Sequence, residues 1–152
     1  MTTNTESLPI IVGVDGSPSS IAALRRAAEI SAALGIPLRA ITTWEYPAMF
    51  DTYYPIDDWS PEGDAEKVLA DSVAEAFPAS PPSGFTQSVM QGPAARVLIE
   101  QSERASMLVL GSRGHGGFAG LLLGSVSSAC AAHAHCPVLV MHSPKIAADP
   151  AT

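Results

Sequence analysis

Short apolar runs that alternate with segments of helix length constrain the fold of this chain more than any other feature. The first run, residues 8–14, is continuous and rich in β-branched side chains, which is typical of a strand buried on both faces of a parallel sheet. It ends at a turn, residues 15–18. Within that turn Ser17 is a suitable helix cap and Pro18 suits a first helical turn, and apolar residues then recur at helical spacing until Gly35. The chain is therefore expected to begin with a strand, a turn and a helix.

The same alternation continues to residue 141. Further strands are predicted over residues 37–44, 85–91, 107–110 and 137–141, and further helices over residues 62–77, 93–104 and 125–133. Strands separated by helix-length segments imply a parallel sheet with right-handed crossovers and helices on both faces. The predicted fold is a doubly wound, Rossmann-like α/β domain of five strands. In such sheets a ligand binds beyond the carboxyl ends of the strands, where the strand order reverses.

Length and hydropathy set the domain organisation. With 152 residues, 47% of them hydrophobic, the chain is expected to form one domain over residues 8–143, between a flexible tail at residues 1–7 and a second tail at residues 144–152. No window approaches 18 consecutive apolar residues, and residues 1–7 lack the regions of a signal peptide. We therefore expect a protein without a membrane span, located in the cytoplasm.

The charge of the chain is low in amount and uneven in distribution. Only 15% of residues are charged, against roughly 25% in an average soluble domain, which favours a homo-oligomer with part of its surface covered. The net charge of −7 makes nucleic acid and anionic membranes unsuitable partners. Residues 45–75 contain nine acids and one base, so the rest of the chain has a net charge of +1. The acidity therefore does not exclude a nucleotide that is bound mainly by backbone N–H groups.

A glycine-rich turn follows the fourth predicted strand. It contains six of the twelve glycines: Gly111, Gly114, Gly116, Gly117, Gly120 and Gly124. Glycine lets backbone N–H groups approach an anion, and the start of the next helix adds unpaired N–H groups, with Ser125 and Ser127 as further hydroxyl donors. The turn is thus a candidate phosphate site; the alternative is a flexible surface loop.

Two other phosphate motifs fit this turn poorly. A P-loop requires Gly-Lys-Ser/Thr at its end, and no lysine stands near Gly124. Residues 114–119 match a permissive dinucleotide fingerprint, but they follow the fourth strand, and Leu139 stands where an acid is needed about twenty residues later. Neither a Walker-type NTPase nor a dinucleotide site is favoured.

The turn resembles the ATP-binding signature of the universal stress protein family, which is Gly, two residues, Gly, nine residues, Gly, then Ser or Thr. Gly111, Gly114, Gly124 and Ser125 stand at these spacings. Residues 12–17, 92–94 and 136–140 are similar to the opening turn, the third crossover and the closing strand of the family. The resemblance covers residues 8–142. It implies a five-stranded sheet in the order 3-2-1-4-5 and a dimer formed through the last strand.

The resemblance also implies a set of binding residues. The four signature residues would hold phosphates beside the backbone of Val126, Asp15 would face the ribose or metal-bound phosphates, and Thr43 would present its backbone to adenine. Leu110 would lie beside the sugar or base. The complete implied site is Val14, Asp15, Gly16, Ser17, Thr43, Leu110, Gly111, Arg113, Gly114, Gly124, Ser125 and Val126. The pair Thr42-Thr43 departs from the His-aliphatic pair that is common in the family, which leaves the residue that contacts adenine open.

Several residues have a structural alternative. Asp15 could be only a neighbour of a helix cap, and Arg113 could be a solvated loop residue as readily as a phosphate ligand. His115 is expected to be an exposed loop histidine. The set Cys130, His133, His135 and Cys136 has the wrong spacing for a zinc site, so Cys130 is expected in a helix core and Cys136 at a strand entry.

The stretch from Trp44 to Trp59 holds six of the nine aromatic residues. A structureless segment of this length is usually functional or disordered, and its aromatic content disfavours simple disorder. It could form a lid over a nucleotide, a surface for a partner, or a cluster packed on the sheet edge.

The sequence thus predicts a cytoplasmic, homodimeric module that binds ATP, with Mg²⁺, and acts in stress response or regulation. A slow ATP hydrolase is one alternative, but no nucleophile elbow, paired carboxylates or catalytic lysine is present, so binding is favoured over catalysis. A module that binds AMP or cyclic AMP is another. A protein-interaction module with an empty site is disfavoured by the intact glycine signature.

Overall fold

Five parallel strands form one sheet, each followed or preceded by a helix as the apolar pattern predicts. The computed structural model describes residues 7–47, 59–113 and 123–143. Within these ranges the strands are β1 (Ile10–Gly13), β2 (Leu38–Trp44), β3 (Thr86–Gln91), β4 (Met107–Gly111) and β5 (Val138–Met141). The helices are α1 (Pro18–Leu34), α2 (Pro61–Ala76), α3 (Ala94–Ser102) and α4 (Ser125–His133).

The strand order is β3-β2-β1-β4-β5, and every neighbouring pair is parallel. This confirms the doubly wound α/β fold and the order 3-2-1-4-5. The chain first runs outward from β1 to β3 and then returns to the other side of β1 with β4. The order therefore reverses between β1 and β4, and a crevice is expected at the carboxyl ends of these two strands.

Alternating side chains of the buried strands supply two separate cores. Ile10 and Val12 of β1 pack with α1 and α2 on one face of the sheet, whereas Ile11 packs with α3 and α4 on the other. All three side chains are at most 1% exposed. The continuous apolar run at the start of the chain is thus explained by a strand that is covered on both faces.

The ends of α1 follow the predicted capping residues. Ser17 is the N-cap, and its Oγ accepts a hydrogen bond from the Ser20 N–H. Gly35 ends the helix in the left-handed conformation, with φ of 66°. Both assignments are confirmed, because a hydroxyl cap and a left-handed glycine are what helix ends of this kind require.

The first strand is shorter than predicted. Residues 8–14 are apolar, but β1 extends only over Ile10–Gly13, and Leu8 is 49% exposed. Both ladders of β1 begin at Ile10, opposite Leu38 and Met107. Hydropathy thus extends the strand past both ends of its paired ladder, where single hydrogen bonds still join the Val14 N–H to the Ile41 carbonyl and the Ser106 N–H to the Pro9 carbonyl.

Some predictions lie outside the described residues. These are most of the two tails, residues 48–58 of the aromatic stretch, and residues 114–122, which include Gly114, His115, Gly116, Gly117 and Gly120. In the described part of the chain, no helix is both long and apolar enough to cross a bilayer.

Candidate functional site

A cavity of about 370 Å³ lies at the carboxyl ends of β1 and β4, where the strand order reverses. The described residues that line it are Gly13, Val14, Asp15, Ser17, Ser20, Ile41, Thr43, Ala94, Leu98, Leu110, Gly111, Arg113, Gly124, Ser125, Val126 and Ser127. Ten of the twelve residues implied by the resemblance are among them. Gly16 is not, and Gly114 lies outside the described residues.

The turn between β1 and α1 forms one wall. Gly16 has a φ of 85°, a conformation that favours glycine. Asp15 Oδ1 accepts a hydrogen bond of 2.9 Å from the Ser17 N–H, so this carboxylate helps to close the turn. Asp15 nevertheless is exposed and lines the cavity. Asp15 can therefore be both a neighbour of the helix cap and a residue of the site.

The start of α4 forms the facing wall and lacks a side-chain cap. Its N-cap is Gly124, whose N–H donates to the Ser112 carbonyl at 2.6 Å. The first helical hydrogen bond is donated by the Ser128 N–H to the Gly124 carbonyl. The N–H groups of Ser125 and Val126 precede that bond, and both residues line the cavity. A helix start of this kind carries partial positive charge and attracts an anion.

Ser127 has a different role from the one expected. Its hydroxyl was predicted to be a ligand donor, but Oγ lies 3.0 Å from the Ser112 carbonyl and 3.2 Å from the Gly124 carbonyl, and the residue is 2% exposed. A hydroxyl has one proton to donate, and here it faces two carbonyls of the protein. Ser127 therefore holds the start of α4 against the end of β4.

Gly111 is required by packing. A Cβ atom at this position would lie 2.3 Å from Ser19 Oγ and 2.7 Å from the Ser20 backbone nitrogen. These distances are too short for any side chain, and the second involves backbone that cannot move aside independently. The glycine thus lets the first turn of α1 approach the end of β4, which brings the two walls of the cavity together.

The two threonines at the end of β2 have distinct roles. Thr42 is 5% exposed, and its hydroxyl donates to the Val14 carbonyl at 2.8 Å. Thr43 lines the cavity. Because successive side chains of a strand point to opposite faces, only one of them can face the site, and the structure places Thr43 there.

The cavity has an apolar side that was not predicted from the sequence. It consists of Ile41, Ala94 and Leu98, beside the predicted Leu110. Two sequence signals could have found these residues. Ile41 lies two positions before Thr43 on the same strand face, and Leu98 lies four positions after Ala94 on the same helix face.

The cysteine and histidine set shows no sign of metal binding. Among the residues that the structure describes, no group of three or more His, Cys, Asp or Glu side chains is arranged to hold a metal ion. Cys130 is fully buried in the core below α4, and burial, together with the nearby Cys136, raises its pKa to about 11. Burial also raises the pKa of Cys136. Both groups are therefore neutral thiols near pH 7, in core and strand-entry positions.

The fold and the cavity together define a class of protein. A doubly wound α/β sheet with a cavity and an uncapped helix start at its switch point defines a Rossmann-like domain, in which ligands bind beyond the carboxyl ends of the strands. The model of the universal stress protein family matches residues 7–142. This chain belongs to the universal stress protein family.

Known relatives agree with this assignment. A universal stress protein of Mycobacterium tuberculosis is 36% identical over 136 residues, which make up 89% of this chain and 45% of that protein. The chain thus spans about half the length of the curated relatives it matches.

Solved structures of the family share the fold. The crystal structure of a universal stress protein in complex with cAMP has a TM-score of 0.68 and 26% identity, and the match covers 92% of this chain and 100% of that one. A universal stress protein family protein from Arabidopsis thaliana with AMP bound has a TM-score of 0.60 and 19% identity, covering 94% of this chain and 97% of the other. At this identity the second match shows the fold alone.

Proposed function

We propose that this chain is an adenine nucleotide-binding module, with ATP as its ligand, that acts in stress response or regulation. The observation that carries the proposal is the uncapped start of α4, which opens into a cavity at the switch point of the sheet. The spacing of Gly111, Gly124 and Ser125 in the family's ATP-binding signature supports the same ligand.

One side of the cavity is apolar and the other offers hydrogen-bond donors, which suits the base and the phosphates of a nucleotide. Ile41, Leu98 and Leu110 offer apolar contact to a base, with the Thr43 backbone available for hydrogen bonds. On the opposite side Arg113, Ser125 and the α4 start provide a cation and N–H donors for phosphates. We therefore propose that the base lies towards β2 and α3, and the phosphates towards α4.

Asp15 fits a role with Mg²⁺. Protein sites bind this ion through one or two carboxylates together with the phosphates of a nucleotide. Among the described residues that line the cavity, Asp15 is the one carboxylate, and one of its oxygens accepts the Ser17 N–H. We assign Asp15 to the face of the site that meets Mg²⁺-bound phosphates or the ribose.

AMP or cyclic AMP is the second candidate. The structural relatives described above hold cAMP and AMP, and a phosphate site built from backbone N–H groups does not require a triphosphate. The same α4 start then binds a single phosphate. A homodimer through β5 and a cytoplasmic location stay predictions; β5 lies at the edge of the sheet with half-buried apolar side chains.

Thermal unfolding with ATP, ADP, AMP and cyclic AMP in parallel, with and without Mg²⁺, tests the proposal. A ligand present at one hundred times its Kd stabilises the folded state by about 2.7 kcal/mol. We expect the largest shift with ATP and Mg²⁺. A larger shift with AMP or cyclic AMP selects the second candidate, and the absence of any shift contradicts nucleotide binding.

A further inference from the structure

We propose that Ser19 is a positioning residue for the phosphate side of the cavity, acting through the backbone of Arg113. Ser19 does not line the cavity, and it is 1% exposed in the first turn of α1. Its hydroxyl donates to the Arg113 carbonyl at 2.7 Å, across 94 positions of sequence. This inference rests on the proposed nucleotide-binding function.

Two helices hold consecutive carbonyls at the end of β4. Ser19 of α1 binds the Arg113 carbonyl, and Ser127 of α4 binds the Ser112 carbonyl at 3.0 Å. The two helices pack on opposite faces of the sheet, and both serines are almost completely buried. The backbone at Ser112 and Arg113 is therefore held by hydrogen bonds from helices on both faces of the sheet.

The Ser19 hydroxyl is confined where it stands. It lies beside the Cα of Gly111, since a Cβ there would approach Ser19 Oγ to 2.3 Å. Ser17 Oγ lies farther away, 3.5 Å from Ser19 Oγ, so the Arg113 carbonyl at 2.7 Å is the near partner of the Ser19 hydroxyl.

Loss of the Ser19 hydroxyl removes the hydrogen bond that holds the Arg113 carbonyl. Arg113 is exposed, so its carbonyl can turn towards water when Ser19 no longer donates to it. Arg113, which lines the cavity, then loses the backbone contact that fixes its position on the phosphate side. The base side, formed by Ile41, Leu98 and Leu110, does not depend on this bond.

The test compares the Kd of ATP with the Kd of adenosine, by calorimetry, in wild type and in Ser19→Ala. Loss of one buried hydrogen bond changes an equilibrium by on the order of fivefold. We expect Ser19→Ala to raise the Kd of ATP about fivefold and to leave the Kd of adenosine unchanged. A uniform change for both ligands, or no change, overturns the positioning role.

Ser31→Ala is the matched control. Ser31 is also a buried serine of α1, its hydroxyl donates to the Ile36 carbonyl, and it lies at the other end of the helix from the cavity. It should lower stability without changing the preference for ATP over adenosine. Should Ser19→Ala fail to fold, Ser19→Cys replaces the hydroxyl by a larger and weaker donor, which is expected to displace the Arg113 carbonyl and change the preference in the same direction. If the wild-type protein binds neither ATP nor adenosine, the result contradicts the proposed nucleotide binding, and with it the positioning role of Ser19 that rests on it.

Discussion

The helix starts of α1 and α4 face the same cavity but are finished in opposite ways. α1 begins at Ser17, whose hydroxyl accepts the Ser20 N–H, and Asp15 accepts the Ser17 N–H. α4 begins at Gly124, which has no side chain, and its cap position makes no side-chain hydrogen bond. At α1 the protein itself supplies side-chain acceptors for the N–H groups of the helix start. At α4 no side chain of the cap residue accepts from these groups.

This difference explains how one cavity can be polar on two walls and still select where an anion lies. A capped helix start has part of its positive end neutralised by oxygen lone pairs. An uncapped start keeps its N–H groups and its partial charge. In the proposed function the phosphates therefore lie at the α4 end of the cavity, and the α1 end is a wall closed by its own side chains.

The largest expected effect is on the contact between the start of α1 and the end of β4. Gly111→Ala puts a methyl group 2.7 Å from the Ser20 backbone nitrogen, so we expect a loss of about 3 kcal/mol in the free energy of unfolding. Urea denaturation measures it. Gly13→Ala is the control: its nearest contacts are side-chain ends, Leu110 Cδ2 at 2.7 Å and Leu98 Cδ1 at 2.9 Å, which can adjust. An equal loss in both variants would contradict the special role of backbone at Gly111.

A carboxylate at the cap of α4 should separate stability from binding. Gly124 has φ of −73° and ψ of 172°, which any residue can adopt. Gly124→Asp would cap the helix and stabilise it by a few tenths of a kcal/mol, while its charge competes with phosphate for the same N–H groups. We expect the Kd of ATP to rise at least about tenfold. Gly124→Asn is the neutral control with a smaller loss, and unchanged ATP binding in Gly124→Asp would place the phosphates elsewhere.

The smallest effect concerns the cap of α1. Ser17→Ala removes the acceptor of the Ser20 N–H and should lower the free energy of unfolding by about 1 kcal/mol. Its effect on the Kd of ATP should be smaller than that of Gly124→Asp, because the proposed site holds the phosphates at α4. Ser17→Thr retains a capping hydroxyl and should restore stability. A larger binding defect in Ser17→Ala than in Gly124→Asp would reverse the comparison of the two helix ends.

Local sequence signals were sufficient for the elements and for much of the site. The apolar runs predicted every strand, and Ser17 and Gly35 marked both ends of α1. The signature spacing led to Gly111, Gly124 and Ser125, all of which line the cavity. These features can be predicted because apolar patterns, helix caps and glycine spacing are properties of residues that are close together in the sequence.

Contacts between distant segments were readable only in part. Spacing relates Ile41 to Thr43 and Leu98 to Ala94, but the two faces meet in one cavity only when β2 and α3 pack beside β1. Hydropathy also assigned too many residues to β1, because the length of a strand is set by its continuous ladder with neighbouring strands and not by the apolar run alone.

The sequence by itself determined that this chain forms a doubly wound sheet with a glycine turn after its fourth strand. The tertiary structure decided the roles of the described residues on either side of that turn. Gly111 is a glycine because α1 presses against it, and the Ser127 hydroxyl, although the residue lines the cavity, binds backbone carbonyls. The physical reason is the same in both cases: a side chain's partner is whatever lies within about 3 Å of it, and packing of distant elements decides which atoms those are.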